Sequence, residues 1–177
     1  MTSVAEKEIL EMNEQIEEEL KANLQVRIKT EELKKLVSRV ERSAAKTSVQ
    51  EILKGIYIYF GKDKIVARAM NNNYGMEVIL SHNEKEKNFQ FLSGKPDAVV
   101  FMDKKFPSMV NALPRKETLI TVKDKRVIIK SGRSEFIVNV LEGSEYPKFP
   151  EIETASSISI SPEVLYSLYD KTIYSAS

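Results

Sequence analysis

Four cations, Lys35, Arg39, Arg42 and Lys46, recur at spacings of four, three and four residues. On a helix advancing about 100° per residue they share one side, with Lys46 close to the helix end. Leu33, Leu36, Val37, Val40 and Ala44 gather on the opposite side. A solvated helix face usually mixes signs, whereas this stripe is basic throughout. A row of lysine and arginine suits sequence-blind attraction to a phosphate backbone, with no base-reading device beside it. A plain solvated face is the alternative, and spacing leaves both open. Residues 103–113 repeat the arrangement more mildly, with Phe106, Met109, Val110 and Leu113 inward and Lys104, Ser108 and Asn111 outward.

Bond-making chemistry has little to work with. The chain has no cysteine, and His82 is its single histidine, in a polar loop. Thiol catalysis, disulfide scaffolds and His/Cys metal sites are therefore excluded. Neither G-x-x-x-x-G-K-[ST] nor G-x-G-x-x-G occurs. Ser131-Gly132-Arg133 could cradle one anion, but no helix follows to add its dipole. A hairpin tip, with Ser131-Gly132 as a two-residue turn, is the simpler reading. The strand after it carries Phe136, Val138 and Val140 on one face and Ile137 and Leu141 on the other. Such an edge invites aggregation unless something covers it.

The chain's 177 residues can bury a sizeable core, and 42% apolar with 30% charged content is ordinary for a globular protein. No apolar run approaches the ~20 residues of a membrane span and no signal-peptide pattern appears, so an intracellular protein is expected. The net charge of +1 conceals an asymmetry: residues 1–24 hold seven glutamates against Lys7 and Lys21, a net of −5, leaving +6 elsewhere. Residues 3–23 show helical periodicity, which predicts an acidic helical arm.

The positioning elements come in a repeated order. A strand at Leu24–Lys29 precedes a helix from Thr30 to about Ser43, then strands at Ile52–Phe60, Lys64–Met70 and Tyr74–Leu80. A polar connection follows, with a strand expected at Phe89–Leu92. The order recurs as strand Ala98–Met102, helix Asp103–Leu113, strand Thr118–Lys123 and the 126–141 hairpin. The pattern predicts an α+β fold. Residues 142–155 are rich in turn formers; a short "SISI" strand and a helix opened by Ser161-Pro162-Glu163 begin another unit.

"VIIKSGRSEFIVNVLEGSEYPKFPEIE" (Val127–Glu153) closely resembles the end of the first domain of the bacterial DNA sliding clamp, the beta subunit of DNA polymerase III. "RIKTEELKKLVSRV", "MDKKFPSMVNALP" and "ISPEVLYSLYDKTIYSAS" resemble that family's opening strand and first helix, its second helix, and the start of its second domain. The resemblance runs from about Leu24 to Ser177 and is weakest over 82–97. It implies the DNA-clamp fold, a duplicated β-α-β-β-β unit with helices on one face of antiparallel sheet. It implies an acidic extension at 1–24, clamp domain 1 at 25–142, a linker at 143–154 and the truncated start of domain 2 at 155–177.

Functionally the resemblance implies a polymerase processivity factor, an accessory subunit with no catalytic residue, metal or cofactor. Lys35, Arg39, Arg42, Lys46, Lys104 and Asn111 would face duplex DNA without sequence preference. Lys105, Arg133, Glu135, Phe136 and Val138 would form a subunit seam, with Phe136 and Val138 packing across it. The Arg133–Asn139 edge would pair with a second copy or with a full-length clamp, and the latter reading makes the chain a regulator of ring closure. Polymerase and clamp-loader contact would require the family's further domains. A cytoplasmic, nucleoid-associated protein of a bacterium or phage is expected, with no membrane partner. One departure bears on DNA contact: Thr47 stands where the family has an arginine, with Lys46 just before it.

Overall fold

Residues 23–149 and 158–173 are described by the computed structural model of the chain. The acidic segment read as a helix, 3–23, lies outside them but for its last residue, and so do 150–157 of the linker region.

Among the described residues nine strands form one antiparallel sheet: β1 (Leu24–Lys29), β2 (Ile56–Phe60), β3 (Lys64–Met70), β4 (Gly75–Ser81), β5 (Phe89–Gly94), β6 (Asp97–Phe101), β7 (Glu117–Lys123), β8 (Arg126–Ser131) and β9 (Ser134–Glu142). Their order across the sheet is β4-β3-β2-β6-β9-β8-β7-β1-β5. The helices are α1 (Thr30–Val40), α2 (Phe106–Asn111) and α3 (Pro162–Thr172). Period-two burial marks the strands, as in β2: Ile56, Ile58 and Phe60 face the core, while Tyr57 and Tyr59 are half-buried on the other face.

Two β-α-β-β-β units are interlocked. β1 of the first pairs with β7 of the second, and β6 of the second pairs with β2 of the first. The closing strand of the second unit, β9, is continuous: residues 134–139 pair with β8, and 140–142 turn to β6. In the first unit the same two duties fall to separate strands, β4 on β3 and β5 on β1. β5 is therefore the second half of a strand that the 82–88 loop interrupts. Asn88 clasps the break: its Oδ1 accepts the N–H groups of Asn83 and of its own neighbour Phe89, while its Nδ2 donates to the Ser81 carbonyl.

Leu33, Leu36, Val37 and Val40 of α1 and Phe106, Val110 and Leu113 around α2 join one core with strands of both units. Phe106 stacks on Phe101 with ring centroids 3.9 Å apart. α1 packs against α2, and the Lys34 ammonium donates to the Leu113 carbonyl at 3.0 Å. A smaller cluster covers the opposite face of the sheet. There Tyr146 packs against Tyr57 and its hydroxyl accepts the Met70 N–H, while Arg68 lies over Tyr57 and pairs with Glu77.

Several elements differ from the expectation. Residues 51–54 form a 3-10 turn instead of the start of a strand, because Leu53 folds into the Ala45–Val100–Tyr146 cluster. Gly55 permits this: a Cβ there would lie 2.6 Å from both Val100 and Met102. α1 ends at Val40, with a 3-10 turn over 41–43. α2 spans six residues, not eleven; Pro107 sits in its first turn, and a turn anchored on Asp103 precedes it. The hairpin loop is Gly132-Arg133, one residue later than expected, since Ser131 pairs with Ser134. Gly132 alone carries a positive φ there, 65°, the sign pattern of a type II′ turn.

Ser161 does cap α3, accepting the Val164 N–H, but residues 158–160 join no ladder and no described residue of α3 is buried. An extended segment needs a neighbour to become a strand, and none of the described residues supplies one. No helix among the described residues is long and apolar enough to cross a membrane.

Thr30 opens α1 without capping it. Its hydroxyl instead pairs with that of Thr118 at 2.8 Å, both side chains fully buried. Thr30→Val should cost about 1–3 kcal/mol by orphaning Thr118, whereas Thr30→Val with Thr118→Val should recover most of that loss. Urea unfolding of the two variants measures the difference.

Candidate nucleic-acid interface

α1 exists because its apolar residues recur with helical spacing, and burying them forces the opposite side outward. Lys35, Arg39 and Arg42 are accordingly exposed, as is Lys46 beyond the 3-10 turn. Lys104 is exposed in the turn that precedes α2, and Asn111 is exposed at the end of that helix. Both helices lie on one side of the sheet and touch, so the six residues belong to one layer.

The stripe is not uniformly basic in space. Lys35 donates to Glu32 at 2.8 Å, one turn back on the same helix. That hydrogen bond, and then the Glu32 charge, hold the Lys35 pKa above the usual 10.5. Sequence spacing missed this because Glu32 sits between the two faces and leans toward the polar one.

Two clefts at the far end of α1 gather Arg42, Lys46 and Lys104, while Arg39 lines neither. One lies between the helix ends and brings Lys46, Lys54 and Lys104 together with the carboxylates of Glu41 and Asp103, above the apolar floor of Ile56 and Phe101. Lys54 was not singled out by the sequence, and its ammonium pairs with Glu51 at 2.6 Å. The other cleft unites Arg42, Lys46 and Thr47 with Asn71, Asn72, Asn73 and Tyr74, from the turn between β3 and β4. Nothing in the periodicity of α1 points to that turn; only the packing of α1 on β3 and β4 does.

The second candidate surface is the first half of β9. β8 lies on one side of residues 134–139, and β6 reaches only 140–142 on the other. Among the described residues, no strand covers that second side. Beside that open side Phe136 is half-buried, and Ile137 is 61% exposed on the outer face. Val138 corrects the sequence reading. At 3% exposure its side chain is spent in this chain's own core and cannot pack across a seam. Arg133 is exposed in the turn, Lys105 is exposed at the start of α2, and Glu135 pairs with Lys130 at 3.2 Å across the ladder. No group of three or more metal-ligating side chains occurs among the described residues.

Residues 24–150 match the family model for the DNA polymerase III beta subunit, N-terminal domain. The beta sliding clamp of Bacillus subtilis is 27% identical over 151 residues, covering 85% of this chain and 40% of that protein. That of Helicobacter pylori J99 is 20% identical over 148 residues, 84% and 37% of the two lengths. The chain thus spans about two fifths of the curated relatives it matches. The crystal structure of the B. subtilis sliding clamp superposes with a TM-score of 0.78 at 26% identity, covering 86% of this chain and 40% of that one. The Thermotoga maritima beta subunit gives 0.69 at 20% identity, covering 84% and 38%.

The Lys35–Glu32 pair yields a titration test. A raised folded-state pKa means that the pairing contributes stability fully present below the ordinary 10.5 and lost as pH rises through the folded value. In Glu32→Gln the Lys35 pKa, followed by NMR at Cε, should fall toward 10.5.

Proposed function

The chain belongs to the DNA polymerase III beta-subunit family, over the family's N-terminal domain, and from that premise we propose that it is the first domain of a DNA sliding clamp. Residues 25–142 form that domain, 143–154 link onward, and 155–177 open a second domain. Of the segment 1–24 expected as an addition, Leu24 belongs to β1 and to the core of this domain, and the acidic residues before it are the addition. The domain works as an accessory to a polymerase and tethers by topology and charge.

The observation that supports this most directly is the single helical layer carrying Lys35, Arg39, Arg42, Lys46, Lys104 and Asn111. A layer of cations on short, well-packed helices suits loose electrostatic contact with duplex phosphates. It offers no side chain arranged to read base edges, which is what a protein that must move along DNA needs. Lys35, already paired with Glu32, contributes less than Arg39 or Arg42.

The open side of β9 supplies the second half of the function. Among the described residues, 134–139 have no strand on the side away from β8, with Phe136 and Ile137 beside that edge. A strand from another clamp sheet, in a second copy or in a longer clamp, pairs with that edge and covers the apolar pair. Val138 contributes its backbone only, and Arg133, Glu135 and Lys105 act as rim charges.

Changing Lys35, Arg39 and Arg42 together to Glu should weaken duplex binding. For every phosphate that the variant no longer neutralises, the slope of log K against log salt should fall by about 0.9 in magnitude. An unchanged slope overturns the assignment of the stripe. The edge is tested by mass: sedimentation should show association of the wild-type chain, with itself or with a full-length clamp. Phe136→Asp with Ile137→Asp should abolish it, and a wild-type monomer under both conditions removes the seam.

A further inference from the structure

The Asn71–Tyr74 turn does something that duplex contact does not call for. Its backbone is closed by one side chain: Asn71 Oδ1 accepts the N–H groups of Asn73 and Tyr74 at 2.8 and 3.1 Å, and the Asn71 N–H donates to the Tyr74 carbonyl at 2.9 Å. Asn72 and Asn73 are left exposed. Tyr74 reverses the usual habit of tyrosine, which buries its ring and wets its hydroxyl. Here the hydroxyl donates to the Arg42 carbonyl at 3.2 Å while the residue remains 58% exposed. The polar tip is tied to the backbone and the flat apolar ring is held out beside Arg42 and Lys46. None of the described residues lining this cleft is acidic.

We infer that this cleft binds an unpaired nucleotide of single-stranded DNA, with its base stacked on Tyr74 and its phosphate on Arg42 and Lys46. An aromatic ring between cations is the arrangement by which single strands are held without sequence preference, since every base has a π face. The Arg42 anchor restricts the ring before binding, so little side-chain freedom remains to be lost. Asn72 and Asn73 add amides that can both donate to and accept from a base edge. A paired base inside a duplex cannot reach the ring. The cleft thus distinguishes a single strand from the duplex that the helical stripe contacts, and it deepens the proposed function while resting on its premise that the chain meets DNA.

The chain contains no tryptophan, so Tyr74→Trp in the full chain creates a single reporter. Oligo(dT) should quench its emission, and a blunt duplex should leave the emission unchanged. By fluorescence anisotropy, Tyr74→Ala should lose single-strand affinity on the order of tenfold while its duplex affinity stays within about twofold of the wild-type value. Trp emission unmoved by saturating oligo(dT), or equal losses toward both DNAs in Tyr74→Ala, overturns the inference. Duplex binding without quenching removes this site and leaves the proposed function standing. Quenching without duplex binding does the reverse, and binding of neither DNA removes both.

Discussion

The structure depends on a reciprocal strand exchange. β1 lies between β5 of its own unit and β7 of the other, and β6 lies between β9 of its own unit and β2 of the other. Neither β-α-β-β-β unit can complete its sheet or cover its apolar face alone. The core residues of both units consequently form one cluster, from Leu24 and Ile28 through Ile58 and Phe60 to Val138 and Val140. Contacts this distant in sequence must form before they stabilise anything, so the two units should fold together and not in turn.

That exchange also fixes where the helices and the open edges fall. Each helix follows its unit's first strand and returns over the same face, which brings α1 and α2 side by side. The units are then unequal in a useful way. α1 has eleven residues and packs on β4, whereas α2 has six, and on β9 Phe136 is only half-buried while Val138 is in the core. The first unit breaks its last strand at 82–88, while the second keeps its strand whole and so joins the two halves of the sheet. The open edge of β9 follows from its course: only residues 140–142 reach β6, so 134–139 have a strand on one side alone among the described residues.

Charge on the helical layer is apportioned by local pairing as much as by composition. Lys35 is shared with Glu32 and Lys54 with Glu51, at exposed sites where such pairs contribute little to stability. Their consequence is electrostatic: they lower the field near the start of α1 and at Lys54. Arg42 lines a cleft whose described lining carries no carboxylate, beside the Asn71–Tyr74 turn, and Lys46 stands between that cleft and the one that holds Glu41 and Asp103. An anion approaching this layer therefore meets different surroundings along it.

Alternation, turn residues and repetition were legible in the amino-acid order because each is local. Lys64–Met70 and Leu24–Lys29 are strands with the expected bounds, Ser161-Pro162 starts a helix, and the basic and apolar sides of α1 follow from spacing alone. What depends on a distant partner was not. Leu53 leaves the strand pattern to reach Tyr146; the Thr30 hydroxyl pairs with Thr118, 88 residues away; Val138 is buried by a core assembled from both units. The residues of β5 mark a strand but not its place, which its pairing with β1 decides. Residue order thus determined which segments could be strands or helices and which sides carried charge. The tertiary structure decided which edges stay open and which cations share a cleft, because those depend on contacts between residues far apart in the chain.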